Sequence, residues 1–333
     1  MDRSIEVGDI FRQFGSAYLA RYGQHLSLRH HRAIRALSIC RTSALGGHVA
    51  NCDHCGAIKI CYNSCRNRHC PKCQSLAQWQ WVDERQKDLL PVPYFHVVFT
   101  LPESLRPLAL QNQRVIYNLL FKAASGTLTT LALDPKYLGA QIGVTAVLHT
   151  WSQTLIDHPH LHCLVTGGGL SEDDIEWVHT RKDFFLPVQV LASLFKGKFL
   201  SFLKQAYEQN QLIFNGQITS LAQPTAFKHF LNGLYQKGWI VYCKPPFASP
   251  KQVIDYLGRY THRIAISNER IISLDKDQVT FSYRDRADGN KKKRMTLSAF
   301  EFIRRFLMHI LPDGFVKISF FFVYCQHGRT PLG

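Results

Sequence analysis

No run of apolar residues in this chain is long enough to cross a bilayer. The opening residues Met1-Asp2-Arg3-Ser4-Ile5-Glu6 also lack the layout of a secretory signal. A cytoplasmic protein is therefore expected. Internal repeats and low-complexity segments are missing too, which sets aside solenoids and long disordered tracts. Acidic residues are scarce, 24 Asp and Glu against 40 Lys and Arg, for a net charge of +16. That surplus asks for a polyanionic partner, and nucleic acid is the commonest one in a cytoplasm. No long amphipathic basic helix favours a membrane surface instead. Hydrophobic residues make up 46% of the 333 positions, enough for a sizeable core in one large domain or two ordinary ones.

What is plentiful is cysteine, in one place. Seven of the ten cysteines fall between Cys40 and Cys73, and in a reducing compartment such clustering points to metal rather than disulfides. Cys52-x2-Cys55 and Cys70-Pro71-Lys72-Cys73, fourteen residues apart, form two knuckles with the spacing of a tetrahedral thiolate site for structural Zn²⁺. The leftover ligand types Cys40, His48, Cys61, Cys65 and His69 offer a second site, with Cys40, His48, Cys65 and His69 as the candidate set. Arg66, Arg68 and Lys72 interleave with these ligands and give the knuckles the positive charge of a DNA-contacting module.

The segment from about Ile5 to Ile39 reads as helical, and Gln78 to Leu90 as a helix stopped by Pro91-Val92-Pro93. That proline pair is taken as a boundary after residue 92. Beyond it, 94–102 and 143–151 read as strands and Ser104 to about Leu133 as helix. His158-Pro159-His160-Leu161-His162-Cys163-Leu164-Val165 is a third strand, ending at a turn expected over Gly167-Gly168-Gly169. Strand alternation places His160 and His162 on one face, where two imidazoles suit a divalent ion. A third ligand from the neighbouring strand is sought in Gln153 or His149, with Gln153 favoured by its seven-residue separation from His160. Strands interrupted by helices without regular crossover spacing indicate an α+β fold.

Further on, Phe184 to Asn210 reads as helix and 239–247 as a strand closed by prolines, with Lys244 near its end. Ser249-Pro250 opens a helix carrying Tyr256 and Tyr260, four apart and hence on one face, beside Arg259, His262 and Arg263. A hairpin around Asp288-Gly289-Asn290 carries Lys291, Lys292, Lys293 and Arg294, a candidate clamp on a phosphate backbone. Ser298-x-x-Glu301 caps a helix running to about His309.

Together these parts suit an enzyme that cuts and rejoins single-stranded DNA. A phenol with a pKa near 10 attacks phosphorus poorly unless the phosphate is polarised, the work of an ion on His160 and His162. Attack by Tyr256 or Tyr260 yields a 5′-phosphotyrosine and a free 3′-hydroxyl. The passages 62–74, 158–169 and 256–268 resemble the insertion-sequence ninety-one family, rolling-circle transposases of the two-tyrosine branch of the His-hydrophobic-His nucleases. The resemblance runs from about residue 10 to 318. It implies a helical, zinc-ribbon-like domain over 1–92 and a ferredoxin-like, RRM-like nuclease core over 93–318. It also implies Mg²⁺ or Mn²⁺, and single-stranded, hairpin-forming element ends as the partner. Residues 319–333 depart from the family's basic tail, and a weaker copy is expected. The alternatives are a rolling-circle replication initiator with the same chemistry, a triple-histidine nucleotide hydrolase using His158, His160 and His162, and a non-catalytic zinc-dependent DNA-binding protein.

Overall fold

The computed structural model describes residues 4–86, 89–181, 185–244, 247, 252–253, 258 and 264–321. The fold is α+β with antiparallel sheets. The chain divides into two units, one from Met1–Asp83, Trp151–Asp157 and His262–Asp313, the other from Glu84–Thr150, His158–Thr261 and Gly314–Gly333.

The first unit begins with α1 (Val7–Tyr22) and α2 (Leu28–Ile39). The long helix read from the sequence breaks at Gly23–His25, a single 3-10 turn. Val7, Ile10, Phe11 and Tyr18 of α1 are buried with Ala33, Ile34 and Leu37 of α2, at the three- and four-residue spacing of an amphipathic helix. Their stripe is completed from far along the chain. Strands β8 (Ile271–Asp275), β9 (Gln278–Asp285) and β10 (Lys291–Ser298) form a sheet in the order β10-β9-β8. It leads into helix α8 (Ala299–Leu307), whose first turn is capped where the Glu301 N–H donates to the Ser298 hydroxyl at 3.3 Å. Phe11 meets Phe306 edge-on at 5.2 Å, and Phe281 meets Phe302 at 6.1 Å. Each such buried aromatic contributes roughly 2–3 kcal/mol. The boundary expected at residue 92 therefore does not isolate the N-terminal segment. The apolar stripe of α1 needs more surface than residues 1–92 supply, and 264–313 provide it within the same core.

The second unit is built on a sheet ordered β11-β4-β5-β3-β7, with β6 (Trp177–His179) on β5. Here β3 is Tyr94–Thr100, β4 Gln141–Trp151, β5 Asp157–Leu170, β7 Val241–Lys244 and β11 Ile318–Phe321. In the β3–β5 register Phe95, Val97 and Phe99 oppose Val165, Cys163 and Leu161. All six are almost fully buried. This face meets α6 (Val188–Glu208), where Phe99 packs on Phe195 at 4.8 Å. Helices α4 (Arg106–Gln111), α5 (Gln113–Leu133) and α7 (Pro224–Gln236) also belong to the unit. Alternation leaves His96, His160 and His162 on the opposite face.

The glycines at 167–169 do not turn the chain. All three continue β5, and Gly168 and Gly169 pair with His179 and Val178 of β6. A Cβ on Gly167 would lie 2.8 Å from the Pro93 carbonyl oxygen, and one on Gly169 would collide with the Gln141 backbone. Glycine serves here for close approach of backbones.

Candidate functional site

His149 on β4 and His160 and His162 on β5 form one cluster. Their ligating nitrogens lie within 4.8 Å of one another, and the ring centroids are 4.5 Å apart for His149–His162 and 4.9 Å for His160–His162. The hydrogen bonds sort the nitrogens. The Nδ1–H of His160 donates to the His158 carbonyl at 2.6 Å. Nδ1 of His162 is 2.9 Å from Nε2 of His96. The His158 carbonyl can only accept, so His160 keeps Nε2 for a ligand; His162 is engaged at Nδ1 by another imidazole, the kind of outer contact that orients metal-binding histidines.

His149 and His162 are buried, and His160 is partly so. Three imidazoles suit a divalent transition ion and also admit Mg²⁺ or Mn²⁺ with oxygen ligands added. Gln153, the favoured third ligand, falls in the first unit. It lies inside the turn closed by the Ser152 N–H and the Ile156 carbonyl at 2.9 Å. Its side-chain oxygen is 3.5 Å from the Arg284 backbone N–H, and its carbonyl accepts from the Arg270 guanidinium at 2.5 Å.

Lys244 is exposed on edge strand β7, directly across from His96, and Tyr242 is exposed across from Val98. Cross-strand partners share a face, so both stand on the histidine face. Burial, with Lys244 and His160 adding to it, holds the His96 pKa down to about 3.

The second cluster consists of Cys40, Cys65, Cys70 and Cys73. Their sulfurs are 3.5 Å apart for Cys70–Cys40, 3.6 Å for Cys65–Cys73 and 3.7 Å for Cys40–Cys73. Four thiolates at 2.3 Å from a central zinc have edges of roughly 3.8 Å, so the set fits that ion. Cys70 and Cys73 meet as expected, but Cys40 and Cys65 complete the set in place of Cys52 and Cys55. The reason is a hairpin. Strands β1 (Gly47–Asn51) and β2 (Ile58–Tyr62) carry Cys52 and Cys55 to an exposed turn. At the neck the Arg41 N–H donates to the Asn63 carbonyl at 3.2 Å, which sets Cys40 beside Cys65. Arg66 follows with φ 50, the sharp turn such a knuckle requires. Cys70 sits directly before α3 (Pro71–Gln86), and its hydrogen bond with Cys65, together with burial, raises the pKa of the metal-free thiol. Burial pushes the metal-free Cys40 thiol up to about 11. The candidate second set does not assemble: His48 lies across from Cys61 on the ribbon, and His69 Nε2 accepts the Leu311 N–H at 3.2 Å.

Comparison with known proteins supports a zinc-binding module and gives the family. Residues 10–101 match a family described as "Transposase zinc-binding domain", and residues 143–330 match one described as "Putative transposase". The chain is 51% identical over 316 residues to "Putative transposase y4qJ" of Sinorhizobium fredii, covering 95% of this chain and 79% of that protein. It is 28% identical over 300 residues to "Transposase for insertion sequence element IS801" of Pseudomonas savastanoi pv. phaseolicola, covering 85% and 67%. The chain belongs to the IS91 family of transposases. No solved structure matches it. Membership places it apart from the replication initiators and nucleotide hydrolases weighed as alternatives.

The remaining basic residues of the transposase behave unequally. Lys72 pairs with Glu6 at 2.9 Å, and Arg68 donates to the Pro312 carbonyl at 3.5 Å. Arg66 is exposed. On β10, Lys293 is held by Asp285 at 2.8 Å and Asp288 at 3.0 Å, and Lys291 by Asp288 at 2.8 Å. Lys292 and Arg294 point to the other face of the sheet, where Lys292 opposes Arg284. Among the described residues no carboxylate pairs with these three. Tyr256, Arg259, Tyr260 and Arg263, with most of the helix expected around them, lie outside the described residues, as does the chain beyond Phe321. Among the described residues no helix is long and apolar enough to cross a membrane. Sequence reasoning passed over His96, which sits in an apolar run and reads as core, and ranked His149 behind Gln153.

Proposed function

We propose that this transposase nicks and rejoins single-stranded DNA through a 5′-phosphotyrosine intermediate in rolling-circle transposition, with folded element ends as substrate. The observation that carries the reading is the cluster of His149, His160 and His162, two of them with Nδ1 already engaged. A divalent cation, Mg²⁺ or Mn²⁺, held there supplies Lewis acidity toward the scissile phosphate. The phenol oxygen of Tyr256 or Tyr260 forms a bond to phosphorus while the bond from phosphorus to the 3′ oxygen breaks. The phenolic proton leaves to solvent, and the departing oxygen takes up a proton to become the 3′-hydroxyl. Lys244, on the histidine face, neutralises charge developing on that oxygen. The phosphotyrosine retains the energy of the phosphodiester, so rejoining needs no nucleotide cofactor. The structural zinc on Cys40, Cys65, Cys70 and Cys73 orders the segment that carries Arg66 toward DNA.

The test is incubation of the zinc-loaded chain with a single-stranded element end and Mn²⁺, followed by mass spectrometry. A tyrosine-linked oligonucleotide is expected, absent in His160→Ala and in the Tyr256→Phe, Tyr260→Phe double variant. An adduct that survives both changes would refute the assignment.

A further inference from the structure

We propose that His96 is a positioning residue for His162, fixing the tautomer and rotation that leave His162 Nε2 open to a divalent ion. This rests on the reading of His149, His160 and His162 as the ion's ligands. His96 lies in the apolar strand β3 between Phe95 and Val97 and is 4% exposed. An imidazole buried so deeply costs stability unless it is hydrogen-bonded. Its Nε2 approaches His162 Nδ1 to 2.9 Å.

The ring planes are within 10° of parallel and the centroids 5.2 Å apart. A 2.9 Å contact is too short for parallel rings lying face to face, so the two imidazoles lie edge to edge. The shared proton and the accepting lone pair then lie close to the common plane, which a strong N–H···N bond requires.

Register explains the meeting. Val98 is the residue of β3 directly across from His162, and His96, two positions along, reaches it diagonally on the same face. The two ligand rings of β5 are thus held by different devices. His160 gives its Nδ1 proton to the His158 carbonyl, which can only accept. His162 faces another imidazole, which can accept or donate. If His96 donates from Nε2, the proton of neutral His162 moves to its own Nε2 and the ligand is lost. If His96 carries its proton on Nδ1, His162 donates from Nδ1 and keeps Nε2 as a lone pair. Ligand competence at His162 therefore requires His96 to be the acceptor. Supporting groups of this kind affect metal affinity by about 10–100-fold.

The experiment uses the zinc-loaded full chain with Mn²⁺ as the probe, free Mn²⁺ being followed by electron paramagnetic resonance. Gln places a carboxamide oxygen near the position of His96 Nε2, whereas Leu removes the acceptor. Mn²⁺ affinity is expected to fall about 10–100-fold in His96→Leu and to recover most of that loss in His96→Gln. Both variants should keep the wild-type circular dichroism and zinc content. Wild-type Mn²⁺ affinity in His96→Leu overturns the proposal, as does equal weakening in a well-folded His96→Gln. A second readout needs no ion: ¹⁵N imidazole shifts of the wild type should show His162 protonated on Nδ1, becoming a tautomer mixture in His96→Leu. His162 protonated on Nε2 in the wild type overturns the positioning role outright. Mn²⁺ binding that is indifferent to His160→Ala instead removes the ligand reading on which the proposal stands.

Discussion

The backbone N–H of Leu311 donates to Nε2 of His69 at 3.2 Å, joining residues 242 positions apart within one unit. The imidazole accepts at Nε2, so its proton resides on Nδ1, and the ring is spent on the fold rather than on zinc. His69→Ala should leave the Leu311 N–H without this partner and cost about 1–2 kcal/mol, read as a lower denaturant midpoint. Zinc content should stay at the wild-type value. Loss of a metal equivalent in that variant would return His69 to the ligand set.

The thiolate cluster gives a sharper test. Cys40→Ser or Cys65→Ser removes one corner of a complete tetrahedron, so zinc should be lost from that site and the first unit should unfold more easily. Cys52→Ser and Cys55→Ser change only the exposed ribbon turn and should leave this zinc in place. Atomic absorption on the four purified variants distinguishes the sets, and retention of zinc by Cys65→Ser would contradict the cluster described here.

What the chain's letters made legible follows from which interactions are local. His160 and His162 share a face because strand alternation is local, and Ser298 with Glu301 marked a helix start for the same reason. His149 was harder to prefer because pairing between strands depends on the turn joining them, and Gln153 proved to lie in that turn. Counting residues between Cys55 and Cys70 could not show that a hairpin would close at Arg41 and Asn63 and bring Cys40 to Cys65. The ribbon itself left no sign, since Val49, Ile58 and Ile60 lie largely exposed and no burial period marks it as a strand pair. His96 reads as a core residue until its partner is seen.

The four basic residues of β10 should separate by face. Lys291 and Lys293 are neutralised by Asp285 and Asp288, whereas Lys292, Arg294 and the opposing Arg284 form a like-charged patch that disfavours itself. A polyanion relieves that repulsion. Replacing all three by Ala should weaken single-stranded DNA binding and flatten the slope of log affinity against log salt by about 2. The Lys291→Ala, Lys293→Ala pair should change that slope by less than half as much. Equal slopes for the two variants, measured by fluorescence anisotropy across a salt series, would refute the division.

His309 sets an acid limit on the first unit. Its ring is fully enclosed and its Nε2–H donates to the Leu155 carbonyl at 3.1 Å, so it is held neutral, and burial lowers its pKa from 6.5 to about 4. The unfolded chain takes up a proton near pH 6.5 that the folded chain refuses until about pH 4. Between those values the unfolded state binds more protons, so stability falls as pH falls. The contribution is fully present above pH 6.5, and its loss is on the order of 3 kcal/mol by pH 4. Zinc release on acidification would act in the same direction, so the variant decides the assignment. His309→Gln keeps a side-chain N–H for the Leu155 carbonyl and has no proton to gain in this range. Its unfolding midpoint should therefore decline less between pH 7 and pH 4.5 than that of the wild type. Parallel declines at equal zinc occupancy would show that His309 is not the titrating group.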